Sequence, residues 1–250
     1  MALMNEAAIK IAHLDFHYAD QSTLFSDLNL IIEDGERFGL FGPNGAGKTT
    51  LMNLMTGLLS YNKGDIELYK NPIKTKDKKV NKLFGFVPQD FSFYEELTPA
   101  ENLEFFGAWC GLNKKQVRKR SFELFEILNL SGVKDKQVSK FSGGMKRKVN
   151  LAIGVIHQPK LLFLDEPTVG VDVQTRHEII NYLKQLNAQG TTLVYTSHQL
   201  NEAQELCNKI ALLDDGKIIA IDALDNLLKQ HHKNSLEELF IHLTGKTFKN

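Results

Sequence analysis

The nine residues Gly42 to Thr50, GPNGAGKTT, constrain this chain more than any other stretch. They match G-x-x-x-x-G-K-[ST], a loop whose successive backbone N–H groups converge on phosphate oxygens. Gly42, Gly45 and Gly47 open backbone conformations that a Cβ would close, and Pro43, Asn44, Ala46 and Thr50 complete the candidate phosphate cradle. Lys48 is placed to reach the β and γ phosphates, Thr49 to offer a hydroxyl to Mg²⁺, and the helix opening near Lys48 turns its positive end toward the anion. Such a loop needs a strand before it and a helix after it. ERFGLF, Glu36 to Phe41, has the texture of a short buried strand, and Thr49 to Leu59 that of a helix with an apolar face. ATP or GTP is therefore the expected ligand.

A chain of 250 residues suits one or two domains with a sizeable core. Its 30 basic and 30 acidic residues cancel, so bulk charge gives no support to a nucleic-acid binder, and no nucleic-acid partner is expected. No apolar run approaches membrane-spanning length, and MALMNEAAIK lacks a basic region followed by an apolar segment. The expectation is a cytoplasmic protein in which Cys110 and Cys207 are free, buried thiols.

Ile9 to Tyr18 alternates as a half-buried strand does, and LNLIIEDGERFGLF predicts a hairpin turning at Asp34-Gly35. GDIELY, Gly64 to Tyr69, is a further strand, followed by a solvated patch at Lys74, Lys76, Lys78, Lys79 and Lys82. From Phe91 to Pro159 the texture is helical. Thr98-Pro99-Ala100-Glu101 predicts a strong helix start, and Val117, Phe122, Phe125 and Leu128 form a stripe expected to face a core. Beyond it KLLFLDE, a helix from about Val173 to Ala188 and TTLVYTS alternate, which implies parallel strands covered by helices. KIALLDDGKIIAID predicts a hairpin at Asp215-Gly216, and Ala223 to Asn250 is helical in pattern.

Two more motifs sharpen the reading. KLLFLDE ends an apolar strand in two carboxylates: Asp165 is suited to hold Mg²⁺ through water, and Glu166 to orient and deprotonate an attacking water. FSGGMKRK, Phe141 to Lys148, opens a helix with Ser142 as N-cap and two glycines in its first turn, where an anion approaching exposed N–H groups would explain the glycines.

With these motifs in place the chain resembles the nucleotide-binding domain of the ABC ATPases over nearly its whole length. Tyr18, GPNGAGKTT, Gln89 in FVPQD, FSGGMKRK as the signature, LLFLDE, Val169 to Asp172 and His198 in YTSH occur in the family's order. The resemblance implies an α/β fold: a P-loop NTPase core of mostly parallel sheet flanked by helices, an N-terminal antiparallel β subdomain and an inserted helical subdomain at about 91–159. It implies an ATPase domain over 1–222 and a helical tail over 223–250. Phe141 and Met145 stand where the family more often has leucine and glutamine, and Val169 and Val171 also depart from the commoner residues. These variants and the tail LEELFIHLTG are similar to the subgroup serving ABC-2-type exporters.

The roles implied are these. Tyr18 stacks on adenine, Lys48 and the loop amides hold phosphates, and Thr49, Gln89 and Asp165 serve Mg²⁺. Glu166 is the general base, His198 contacts the γ-phosphate, Ser142, Gly143 and Gly144 close on ATP from across a dimer, and Asp172 links the two sites. A second nucleotide-binding subunit and a membrane permease are the implied partners, the permease docking near Phe91, Phe93 and Tyr94 and holding the chain at the cytoplasmic face of the membrane. A soluble ABC ATPase of assembly, translation or DNA repair is the competing reading. Against its chromosomal form, fewer than 100 residues separate phosphate loop and signature, with no sustained heptads.

Overall fold

The computed structural model describes residues 6–19, 22–75, 78–197 and 200–245. Its strands are β1 (Ala7–Phe16), β2 (Phe25–Glu33), β3 (Arg37–Phe41), β4 (Lys63–Leu68), β5 (Asn71–Pro72), β6 (Phe84–Val87), β7 (Leu161–Asp165), β8 (Thr192–Thr196), β9 (Lys209–Asp214) and β10 (Lys217–Ala223). Its helices are α1 (Lys48–Met55), α2 (Lys78–Asn81), α3 (Pro99–Trp109), α4 (Lys114–Ile127), α5 (Gly143–Val155), α6 (Val173–Ala188), α7 (Leu200–Leu206), α8 (Leu224–Gln230) and α9 (Leu236–Thr244).

Strands buried on both faces organise the molecule. Successive side chains of a strand point to opposite sides, and in β7 Leu161 and Phe163 enter one core while Leu162 and Leu164 enter the other. Likewise Ala211 and Leu213 of β9 face away from Ile210 and Leu212. Apolar on both faces, such strands suit a parallel sheet covered on each side. The larger sheet has the order β10-β9-β3-β8-β7-β6, parallel from β9 to β6, with β10 antiparallel at its edge. On one face lie α1 and a second, antiparallel sheet ordered β2-β1-β4-β5. On the other, α3 to α9 contribute Leu103, Leu124, Val149, Ile179, Leu206, Leu227 and Leu239 to a single core.

Three sequence expectations are corrected. The turn at Asp34-Gly35 exists, but it joins two sheets: β2 pairs with β1, whereas β3 lies between β8 and β9. A turn signal is local, and the strand's partner is decided by long-range burial. The helix after the phosphate loop ends at Met55 rather than Leu59, because Gly57 takes a left-handed φ of +72°. In α4 Val117, Phe125 and Leu128 are buried as expected, but Phe122 is 67% exposed and Leu124 takes its place in the core.

Local chemistry elsewhere behaves as read. Thr98 and Glu101 close a reciprocal capping box, with Glu101 N donating to Thr98 Oγ1 at 3.2 Å and Thr98 N to Glu101 Oε2 at 2.8 Å. Asp215 and Gly216, at φ +45° and +73°, turn β9 into β10. Cys110 and Cys207 are both free thiols, but only Cys207 is buried as expected, Cys110 being half-buried. Among the described residues no helix is long and apolar enough to cross a membrane.

The tail is part of the core. Leu236, Leu239 and Phe240 of α9 are fully buried, and Ser235 caps the helix by accepting from Glu238 N at 3.2 Å. Leu239→Ala should lower unfolding free energy by about 3 kcal/mol, the usual scale for a buried leucine. Urea denaturation monitored by circular dichroism reads this directly.

Candidate functional site

The site is built where β3, β6, β7 and β8 end. After β3 the phosphate loop turns into α1 through Gly47 at φ +106°, where a Cβ would approach Phe25 Cζ to 2.8 Å. Gly47 is also the N-cap and offers no side-chain acceptor, so the first amides of α1 keep their hydrogens for an anion. Gly42 has a different reason to be glycine. It takes no left-handed φ, but a Cβ there would lie 2.1 Å from Leu213 O of β9, so the loop start is pressed against the sheet.

Lys48 is folded back over this loop, 7% exposed, its Nζ donating to Gly42 O at 2.8 Å and Pro43 O at 3.0 Å. Burial lowers its pKa from the ordinary lysine value, while the charges of Glu166 and Asp165 oppose that shift. The ammonium is thus held by two neutral carbonyls that a phosphate oxygen outcompetes, because charge-assisted hydrogen bonds are the stronger kind.

A cavity of about 740 Å³ opens beside the loop, lined by Tyr18, Asn44, Gly45, Gly47, Lys48, Thr49, Thr50, Gln89 and Glu166, with Ser22, Thr23, Leu24 and Val169. Its size suits a nucleotide. Tyr18 stands at its edge, 39% exposed, anchored by a 2.9 Å hydrogen bond between its hydroxyl and Thr50 Oγ1 and by edge-on packing against Phe16 at 4.9 Å.

The carboxylate pair is set by β8. Thr196 Oγ1 donates to Asp165 Oδ1 at 2.6 Å, and the amide of Glu166 donates to Thr196 O at 3.1 Å and to Thr196 Oγ1 at 3.2 Å. Glu166 takes a left-handed φ of +49°, a conformation that L residues avoid unless the surroundings impose it. These two bonds impose it, and they turn the side chain from the strand into the cavity. Thr49 Oγ1 lies 3.4 Å from Asp165 Oδ1. Burial raises the Asp165 pKa, opposed by the hydrogen bonds from Thr196 and Thr49.

The signature segment lies apart from this cavity. Ser142 caps α5 by accepting from Met145 N at 3.3 Å, and Gly144 packs where a Cβ would meet Thr175 Oγ1 of α6 at 3.1 Å. Phe141 is 8% exposed and Met145 packs against the same core, so these two departures from the family pattern face the interior, whereas Val169 lines the cavity. Asp172 caps α6, accepting from Thr175 N at 2.9 Å and Thr175 Oγ1 at 2.7 Å, and these bonds hold its pKa below the ordinary carboxylate value.

Two residues absent from the sequence reading connect the parts. Thr196 organises both carboxylates, yet at a strand end it is one threonine among many. Arg147, in the basic run of the signature, donates from Nη1 to Gln89 O and from Nε to Val169 O at 3.3 Å, and its guanidinium lies 4.8 Å from the centre of the Phe91 ring. Asn150, one turn further along α5, donates to Pro88 O at 3.0 Å. Helix α5 thereby fixes the backbone that presents Gln89. Of the expected residues, the phosphate loop, Tyr18, Gln89, Asp165 and Glu166 come together. Ser142, Gly143, Gly144 and Asp172 do not line the cavity, and His198 is outside the described residues.

Comparison with known proteins agrees with this geometry. Residues 25–169 match the family model described as ABC transporter. The linearmycin resistance ATP-binding protein of Bacillus subtilis is 36% identical over 91% of this chain and 73% of its own length. The Nod factor export ATP-binding protein I of a Rhizobium species is 34% identical over 95% of this chain and 78% of its own. A solved ATP-binding subunit of an ABC transporter superposes with TM-score 0.87 at 27% identity, over 95% of this chain and 99% of that one. A dimeric ATP-binding cassette in a post-hydrolysis state with ADP and Pi superposes with TM-score 0.79 at 26% identity, over 86% of this chain and 98% of that one. The chain belongs to the ABC transporter family, as an ATP-binding and ATP-hydrolysing subunit.

Proposed function

We propose that this chain hydrolyses ATP at a site shared by two nucleotide-binding subunits and so powers export through a separate membrane permease. The observation that carries the shared site is the separation just described: one cavity holds the phosphate loop, Gln89 and Glu166, while Ser142, Gly143 and Gly144 lie off it. A single chain has half of each site, and the dimeric cassette with ADP and Pi is consistent with a second subunit supplying the other half. Gly143 suits that role, since a Cβ there would meet nothing nearer than Gly170 O at 3.9 Å.

Within one site Tyr18 stacks on the adenine, and the loop amides with Lys48 hold the phosphates. Thr49 and Asp165, close enough to share one ion, form with Gln89 a hard oxygen set that fits Mg²⁺. When bound, that ion neutralises phosphate charge. The Glu166 carboxylate accepts a proton from water as the water oxygen attacks the γ-phosphorus, and the bond to the β–γ bridging oxygen breaks to leave ADP. His198 contacts the γ-phosphate, and Asp172 couples the two sites.

The export role is supported by the names of the relatives, one conferring linearmycin resistance and another exporting Nod factor. The ATPase domain spans 1–222 with 91–159 as its helical arm, followed by the tail 223–250, whose Leu236 and Leu239 pack into the core. The permease docks near Phe91, Phe93 and Tyr94, holding the chain at the cytoplasmic face. Phe91 is 37% and Tyr94 48% exposed, and Phe91 stacks on Phe93 at 5.2 Å.

Three tests follow from these roles. Glu166→Gln should keep ATP binding, lower kcat by about 100-fold or more and trap an ATP-bound dimer on size-exclusion chromatography. Wild-type turnover by that variant would remove Glu166 from the base role. Lys48→Ala should weaken ATP affinity by about 10-fold or more in equilibrium titration, as expected for a lost charge-assisted contact. Glutamate at Phe93 and Tyr94 should abolish co-purification with the permease while sparing ATP binding.

A further inference from the structure

Alternation along β8 sends two sets of hydroxyls in opposite directions. Thr196 serves Asp165 and Glu166, and its neighbours Tyr195 and Ser197 turn to the other face of the sheet. There they meet Glu202 of α7, which is 1% exposed. Its Oε2 accepts from Tyr195 Oη at 2.5 Å, from Thr168 Oγ1 at 2.7 Å and from Ser197 Oγ at 3.2 Å. Thr168 belongs to the loop two residues beyond Glu166, and Ser197 immediately precedes His198. Burial, and then the charge of Glu202, push the Tyr195 phenol well above its ordinary pKa, so it remains a donor.

One oxygen of a buried carboxylate therefore gathers the strand that orients the metal-side carboxylates, the loop leaving the base and the segment leading to His198. The other oxygen, Oε1, is buried without a hydrogen-bond partner among the described residues. A carboxylate left half satisfied is a poor device for stability alone. An apolar residue in the same space would serve the core as well. What it would not do is hold three hydroxyls from three segments to a single point.

We propose that Glu202 is a positioning residue for hydrolysis, fixing through Tyr195, Thr168 and Ser197 the strand end that holds the base Glu166 and the loop that leaves it. It is buried and does not line the cavity. The inference rests on the assignment of Glu166 given above. It predicts a defect in the chemical step with nucleotide binding intact, because the phosphate loop and Tyr18 lie on other segments.

The test uses the full chain, with its partner subunits where turnover requires them. ATP turnover is measured alongside equilibrium ATP binding and thermal unfolding. Glu202→Ala should lower kcat by about 10-fold or more while KM and the ATP dissociation constant move by less than about 2-fold. Glu202→Gln keeps an oxygen acceptor and should recover kcat to within about 3-fold of the parent. If Glu202→Ala fails to fold, Thr168→Val and Ser197→Ala remove one donor each, and kcat should fall for both without loss of ATP affinity. Their effects should be less than additive, since both act through one carboxylate. Unchanged kcat per folded chain would overturn the proposal, as would a loss of ATP affinity in parallel with kcat. So would a glutamine variant as slow as the alanine. Glu166→Gln measured in parallel separates the readings: if it turns over normally the base assignment falls, whereas the Glu202 variants still report on positioning through their own kcat.

Discussion

Parallel pairing of β9, β3, β8, β7 and β6 is the constraint from which the site follows. It brings the carboxyl ends of four loop-bearing strands to one edge, where open α/β sheets bind their ligands. The phosphate loop leaves β3, the segment bearing Gln89 leaves β6, and the carboxylates end β7. β8 contributes no residue to the cavity wall, yet its position between β3 and β7 lets Thr196 hold both carboxylates. Central placement in the sheet makes an unremarkable threonine the reference point for Asp165 and Glu166.

The signature helix α5 supplies the second tie. Its Arg147 joins Gln89 to Val169 within one chain, while Ser142 and Gly143 at its start are exposed. Arg147 is 8% exposed, and burial draws its pKa down while Asp90 and Glu166 oppose that shift. The guanidinium does what no apolar side chain could: it satisfies two loop carbonyls at once and stacks on an aromatic ring. A change in the position of Gln89 is thereby a change in the environment of α5.

Much of this was legible in the chain because motifs with a mechanism have fixed spacing. GPNGAGKTT and LLFLDE declare their elements through glycine, lysine and paired carboxylates, and the Thr98 capping box and the Asp215-Gly216 turn behave as their local chemistry requires. What was hidden depends on partners far away in sequence. The Asp34-Gly35 turn does not reveal that β2 and β3 enter different sheets. The helical spacing of Phe122 does not reveal that Leu124 faces the core instead. Gly42 reads as a phosphate glycine and serves close packing on Leu213. Thr196 and Arg147 acquire their roles mainly from partners distant in sequence, and Glu202 joins its near neighbours Tyr195 and Ser197 to the distant Thr168.

The burial of α9 has a consequence for the order in which the molecule is finished during synthesis. Leu236 and Leu239 complete the helical-side core that begins with Phe41 and Val87, so that core spans nearly the whole chain. Contacts of such long sequence separation form late and slowly. The face built by β1, β2, β4 and α1 has most of its apolar residues in the first third of the chain, and it is available to collapse first. The half of the molecule that carries the phosphate loop is thus started early, while the half that carries the signature waits for α9 to leave the ribosome.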